Sequence, residues 1–319
     1  MRKIIIDTDT GSDDAVAIVM ALRDPNVEVV ALTTVAGNVD LEKATKNALI
    51  SIDYAESYSP PVYAGSKKPM IRELETASQV HGEDGMGDLG TLREPKDRAE
   101  EKHAVNAIID ILKNSDKGEI ELITIGPLTN IALALIKDSV SMNRLKGITI
   151  MGGAHPYNNP HSVSSEFNIM ADPDAAYIVF NSGIPITLVT LEACQGDAVL
   201  NADDIEHMRK LGEIGSFCID CNMTAIKAAE DSGKEPFIEL PDPIAYAVWA
   251  RPDIVTVSFK SFTRIERKSP LVYGATLFEY EKDFMIEAHV DKSKTFNSKV
   301  VTSIDSEKFK SFLFELVKK

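Results

Sequence analysis

Strands and helices alternate through the first two thirds of this chain, and that alternation leaves few folds open. Ile4 to Thr8 is a short apolar run that ends polar, and Asp13 to Arg23 follows with helical spacing until Pro25. Val27 to Val35 is rich in β-branched residues, Leu41 to Ala55 is helical, and Pro61 to Ala64 reads as a short strand. His103 to Lys113 reads as helix and Glu119 to Ile125 as strand, with Pro127 in the first turn of the next helix. Gly147 to Met151 is a strand stopped by Gly152 and Gly153, Pro173 to Phe180 is helix, and Pro185 to Leu191 is strand. This pattern predicts an α/β fold: a mostly parallel open sheet with helices on both faces, a Rossmann-like core. Past residue 200 the pattern turns helical, over Asp203 to Leu211, Ser216 to Glu230 and Pro243 to Trp249. Residues 253 to 303 look like short antiparallel strands, and Ser306 to Val317 is a closing helix. Residues 66 to 100 are polar without a strong period, and a loop that long is usually functional or mobile. No composition shift marks a linker, so residues 1 to 319 are read as one domain.

Hydrophobic residues make up 44% of the chain, ample for a large core. The formal charge of −15 argues against nucleic acid and against an anionic membrane surface, both of which need Lys and Arg. The apolar run at Ile4 to Ile6 is too short for a signal peptide or a span, which places the protein in the cytoplasm. Three cysteines imply no disulfide framework. Cys218 and Cys221 form C-x-x-C, but a zinc site would need two more ligands, and the segment reads as helix. Two buried structural thiols are the better reading.

Polar, site-like residues follow the strands. Asp7 and Asp9 follow the first, Gly37-Asn38 the second, Gly126-Pro127 the strand at 119, and Gly152-Gly153 the strand at 147. Ligands of open α/β sheets bind outside the carboxyl ends of the strands, so these candidates share one edge. Asp7, Asp9, Asp13 and Asp14 put four carboxylates into eight residues. A divalent cation, Ca²⁺ or Mg²⁺, is the simplest way to hold them together. Helix capping explains Asp13 and Asp14 but not Asp7 and Asp9. An EF-hand fails, because Ser12 and Ile18 stand where Gly and Glu are needed. A haloacid-dehalogenase-type phosphatase matches the D-x-D start but lacks a late acidic pair.

The third reading is a family resemblance. D-T-D-x-G-x-D-D-A-x-A over Asp7 to Ala17 resembles the signature of the nucleoside hydrolases. Ala36-Gly37-Asn38-Val39, His81 to Gly87 (H-G-E-D-G-M-G), and Gly126 to Asn130 (G-P-L-T-N) resemble further motifs of that family. So do Met151-Gly152-Gly153, Glu166-Phe167-Asn168, Asp172 to Ala176, and Asp242-Pro243, in the same order. The resemblance implies Ca²⁺-dependent hydrolysis of the N-glycosidic bond of ribonucleosides. It implies Asp9, Asp14, Asp242 and the carbonyl of Ile125 as cation ligands, with Asp9 as general base on the metal-bound water. Asp13 and Asn168 would hold ribose hydroxyls, Glu166 the 5′-hydroxyl side, and Asn38 and Met151 the ribose pocket. A homo-oligomer, dimer or tetramer, is also implied.

The chain departs from the family twice. Pro241 stands where many members carry the His that protonates the departing base, and Pro160 occupies the usual Asn position before Glu166. Asn159 or His161 are substitutes for that Asn. His81, His155, His161 and Tyr273 are candidate donors to the base, and Phe167 or Trp249 are candidates to stack on it. A non-catalytic nucleoside- or ribose-binding relative is the remaining alternative.

Overall fold

The computed structural model describes residues 1–154, 165–280 and 296–318. The first half runs β1 (Arg2–Thr8), α1 (Ser12–Arg23), β2 (Val27–Thr34), α2 (Leu41–Ala55), β3 (Val62–Ala64), α3 (Ser78–His81), α4 (Ala104–Asn114), β4 (Ile120–Thr124), α5 (Thr129–Met142) and β5 (Ile148–Met151). Then follow α6 (Phe167–Ala171), α7 (Pro173–Phe180), β6 (Ile186–Val189), α8 (Ala202–Lys210), α9 (Glu213–Asp220), α10 (Met223–Asp231) and α11 (Pro241–Ala250). The chain ends with β7 (Val255–Ile265), β8 (Thr276–Tyr280), β9 (Ser298–Ile304) and α12 (Ser306–Val317).

The strands form one sheet in the order β3-β2-β1-β4-β5-β6-β9-β7-β8. Pairing is parallel from β3 to β9, and antiparallel between β9 and β7 and between β7 and β8. Central strands are buried on both faces, which is why β1 and β4 are apolar without alternation. Ile4 and Ile6 pack with α1, α2, α9, α11 and α12, while Ile5 packs with α4, α5 and α7. By the same alternation Asp7 falls on the Ile5 face. The register sets Thr33, Asp7 and Thr124 side by side across β2, β1 and β4.

The expected α/β architecture is therefore present, with three local differences. The helix expected over Ser216 to Glu230 is two helices, α9 and α10, broken at Cys221 and Asn222. Asn222 Nδ2 donates to Cys218 O at 2.9 Å, and a Cβ on Gly87 would lie 2.5 Å from Asp220 O, so a packed loop ends α9. Leu191 belongs to a 3₁₀ turn rather than β6. The expectation of antiparallel strands over 253 to 303 holds for β7 and β8, whereas β9 runs parallel beside β6. The three cysteines are free and buried. Among the described residues, no helix is long and apolar enough to cross a membrane.

Candidate active site at the switch point of the sheet

From β1 the chain builds toward β3 on one side, then restarts at β4 on the other. The loops leaving β1 and β4 consequently diverge, and a crevice opens between them at the carboxyl ends. The β1 loop carries Asp9 and leads into α1. Asp13 and Asp14 occupy the first turn of α1, and Asp242 the first turn of α11. Two helix N-termini thus face the acids, and their dipoles favour negative charge there.

Hydrogen bonds fix each acid. Asp14 accepts from Thr8 Oγ1 at 2.6 Å, Gly11 N at 2.9 Å and Asn38 Nδ2 at 3.0 Å. Asp9 Oδ2 accepts from Asn38 N at 2.7 Å, while Asp9 Oδ1 is buried with no partner among the described residues. Asp13 Oδ2 accepts from Asp242 N at 3.3 Å. Glycine is required on both sides of Asp9: a Cβ at Gly37 would lie 2.1 Å from its Oδ2, and one at Gly126 2.8 Å from its Oδ1. Ser12 N donates to His81 Nδ1 at 3.3 Å, so Nδ1 is an acceptor and the ring carries its proton on Nε2. Ser12 Oγ lies 2.7 Å from the same nitrogen. Burial lowers the pKa of His81 even though Asp13 lies 3.8 Å away, which keeps the imidazole neutral.

The acids carry more negative charge than the buried site tolerates. Burial, followed by repulsion from neighbouring Asp side chains, pushes Asp9 and Asp242 well above the usual carboxylate range and Asp14 up to about 7. Among the described residues no Lys or Arg forms an ion pair with any of them, and only His81 approaches Asp13. Carboxylate oxygens of Asp13, Asp14 and Asp242 lie within 4.8 Å of one another, a spacing that could hold a metal ion. Asp9 is not one of that trio, and its Oδ1 is a further buried oxygen without a partner among the described residues. An all-oxygen donor set of this kind fits a hard divalent cation.

A model of the inosine-uridine preferring nucleoside hydrolases matches residues 4–311. The chain belongs to that family. It is 34% identical over 309 residues to the inosine-uridine preferring nucleoside hydrolase of Crithidia fasciculata, covering 97% of this chain and 95% of that one. It is 42% identical over 212 residues to the pyrimidine-specific ribonucleoside hydrolase RihB of Escherichia coli, covering 66% of each. The solved purine-preferring ribonucleoside hydrolase of Gardnerella vaginalis superposes with a TM-score of 0.87 at 30% identity, over 99% of this chain and 98% of that one. The enzyme class read from the sequence, a nucleoside N-ribohydrolase, is the class of this family.

The family's motifs divide between the crevice and its supports. Asn168 Nδ2 donates to Ile125 O at 3.4 Å and Met151 O at 3.3 Å, which joins three of the expected site residues. Glu166 caps α6: its carboxylate accepts from Asn168 N at 2.8 Å and Gly153 N at 2.9 Å, and burial raises its pKa to about 7. Phe167 and Tyr273 line a separate surface cavity, where the Arg72 guanidinium lies 3.2 Å from the Tyr273 ring centre. Trp249 sits at the far end of α11 under Arg2, 3.6 Å from the ring centre, and is a core residue. His155, Asn159, Pro160 and His161 lie outside the described residues.

Asp7 requires a correction, because it is not part of the acidic cluster. The chain turns after Thr8, so Asp7 points to the opposite face of the sheet and accepts from Thr33 Oγ1 and Asn130 Nδ2. Residues not singled out in sequence also shape the site. Thr8 orients Asp14 and Ser12 orients His81, both from within the quoted signature. Asn47 Nδ2 donates to Thr10 O at 3.0 Å and Asp84 O at 2.9 Å, tying the His81 loop to the acid loop. A polar residue on the buried stripe of α2 is the sequence signal for Asn47.

Proposed function

We propose that this protein hydrolyses the N-glycosidic bond of ribonucleosides to ribose and a free base, with Ca²⁺ held by Asp9, Asp14, Asp242 and the carbonyl of Ile125. The observation that carries this reading is the set of buried acids at the switch point with no Lys or Arg paired to them among the described residues. When bound, the cation would supply Lewis acidity, lowering the pKa of the attacking water. Asp9 Oδ1, which has no partner among the described residues, would take the proton from the attacking water. Asp13 and Asn168 hold ribose hydroxyls, and Asn38 and Met151 wall the sugar. Glu166 reaches the 5′-hydroxyl side from its place at the head of α6.

Pro241 has no proton to give to the departing base. Of the donors considered from sequence, His81 stands at the acid cluster, its Nδ1 3.8 Å from Asp13 Oδ1, whereas Tyr273 lines the surface cavity with Phe167 and Arg72. We assign to the neutral His81 a hydrogen bond to the departing base, its N–H donated without loss of the proton, and the base takes its proton from solvent. A homo-oligomer, dimer or tetramer, and a cytoplasmic location complete the reading; light scattering and cell fractionation test them. The relatives are named for different bases, so the decisive assay is a panel of purine and pyrimidine nucleosides with Ca²⁺, and again after chelation. Release of reducing sugar that disappears with chelator is expected. Binding of nucleosides without release of sugar would instead make this a non-catalytic relative.

A further inference from the structure

We infer that Asp7 and Asn130 form a clamp beneath the sheet that fixes the carbonyl of Ile125, and that this clamp sets the affinity of the site for its cation. The inference rests on the reading of Ile125 O as a cation ligand. Asp7 holds both ends of the turn that follows β4. Its backbone O accepts from Ile125 N at 2.9 Å, and its Oδ1 accepts from Asn130 Nδ2 at 2.9 Å. Between those two anchors lie Gly126, packed on Asp9, and Pro127, packed on Gly37. A shift of this turn therefore moves Ile125 O relative to Asp9.

Asn130 is fixed in its own right. Its Nδ2 also donates to Thr34 O at 2.9 Å, and its Oδ1 accepts from Ser66 N at 3.0 Å. A Cβ on Gly65 would lie 2.2 Å from that Oδ1, so the amide has no room to swing. The clamp thus ties the ends of β1 and β2 to the segments that follow β3 and β4. It is an expensive way to fill space. Asp7 is fully buried, and its Oδ2 and the neighbouring Thr124 Oγ1 both lack partners among the described residues. An apolar side chain there would avoid that penalty, which points to positioning rather than stability. Asp7 and Asn130 are positioning residues, since neither belongs to the ligand set.

The test is direct cation titration of the full-length protein, by calorimetry with Ca²⁺ and by Tb³⁺ luminescence, without any nucleoside. Asp7→Ala and Asn130→Ala should weaken binding by about 10- to 100-fold, the usual effect of losing a group that orients a ligand. Asp7→Asn keeps the acceptor oxygen and should restore affinity to within about threefold. Leu122→Ala, a cavity on the same face of the sheet, should lower the melting temperature while leaving cation affinity unchanged. If Asp7→Ala does not fold, Asn130→Ser carries the same expectation. Wild-type affinity in the folded clamp variants would overturn the inference, as would an equal loss in Leu122→Ala. An unmutated protein that binds no cation overturns both this inference and the metal site. One that binds cation yet cleaves no nucleoside overturns only the hydrolysis.

Discussion

Replacing Gly37 with alanine adds one methyl group and tests whether the orientation of Asp9 governs turnover. The new Cβ would lie 2.1 Å from Asp9 Oδ2, against 3.4 Å for ordinary contact, so the carboxylate must retreat by 3.4 − 2.1 = 1.3 Å. That retreat breaks the 2.7 Å bond from Asn38 N. The lost bond and the overpacking together should destabilise by about 1–3 kcal/mol. A misplacement of about 1 Å in a catalytic group lowers the rate by about 10²-fold, so kcat should fall at least that far while the protein stays folded. Gly126→Ala should do less to the carboxylate, since its Cβ meets Oδ1 at 2.8 Å, a retreat of 3.4 − 2.8 = 0.6 Å. Gly147→Ala is the control, because its Cβ would meet Pro185 alone among the described residues, its O at 3.3 Å and its Cβ at 3.9 Å. Circular-dichroism melts and steady-state kinetics on the three variants give the comparison. A folded Gly37→Ala protein with kcat close to wild type would refute the reasoning, since Asp9 would then act from a displaced position.

Asp9→Asn retains the bond from Asn38 N but removes the base; kcat should drop by about 10²–10⁴ with little change in melting temperature, and near-normal turnover would remove Asp9 from that role. Asp14 has its pKa raised from 3.8 to about 7, so the cation-free fold is favoured by the proton, and that stability is lost as pH rises through about 7. Added Ca²⁺ should therefore raise the melting temperature far more at pH 8 than at pH 5, and an equal rise at both would contradict a proton-for-cation exchange. Burial pushes Cys218 up to about 12 and the other two thiols well above their ordinary value. None of the three should react with a disulfide reagent at pH 8 until the protein is denatured; fast labelling of the native form would refute their structural role.

Most of the crevice was legible because its acids and amides sit at the ends of strands and helices that the hydrophobic pattern marks. Asp9, Asp13, Asp14, Asn38 and His81 are close in sequence or in quoted motifs, and the fold brings them to one crevice. What the sequence withheld depends on pairing. Asp7 and Asp9 have the same spacing as two residues on one face of a strand, yet the strand ends between them, and a hydrophobic pattern does not locate that turn to one residue. The break between α9 and α10 was hidden because apolar residues continue through Cys221, and it is imposed by Gly87 arriving from a distant loop. Asn130 was visible only as part of a motif. Its role appears once β1 and β4 are neighbours, which no local pattern reveals.

The place of β9 has a consequence for how the protein comes to be made. β7 and β8 precede it in the chain, yet among the described residues it is β9 that joins them to β6. While the chain emerges from the ribosome, the 11-residue β7 has no partner strand toward the main sheet. Every residue proposed for the cation and the sugar has already been synthesised by then. The catalytic half can therefore mature first, while the far edge waits with exposed backbone groups that invite pairing with another chain. Misassembly during synthesis should begin at that edge.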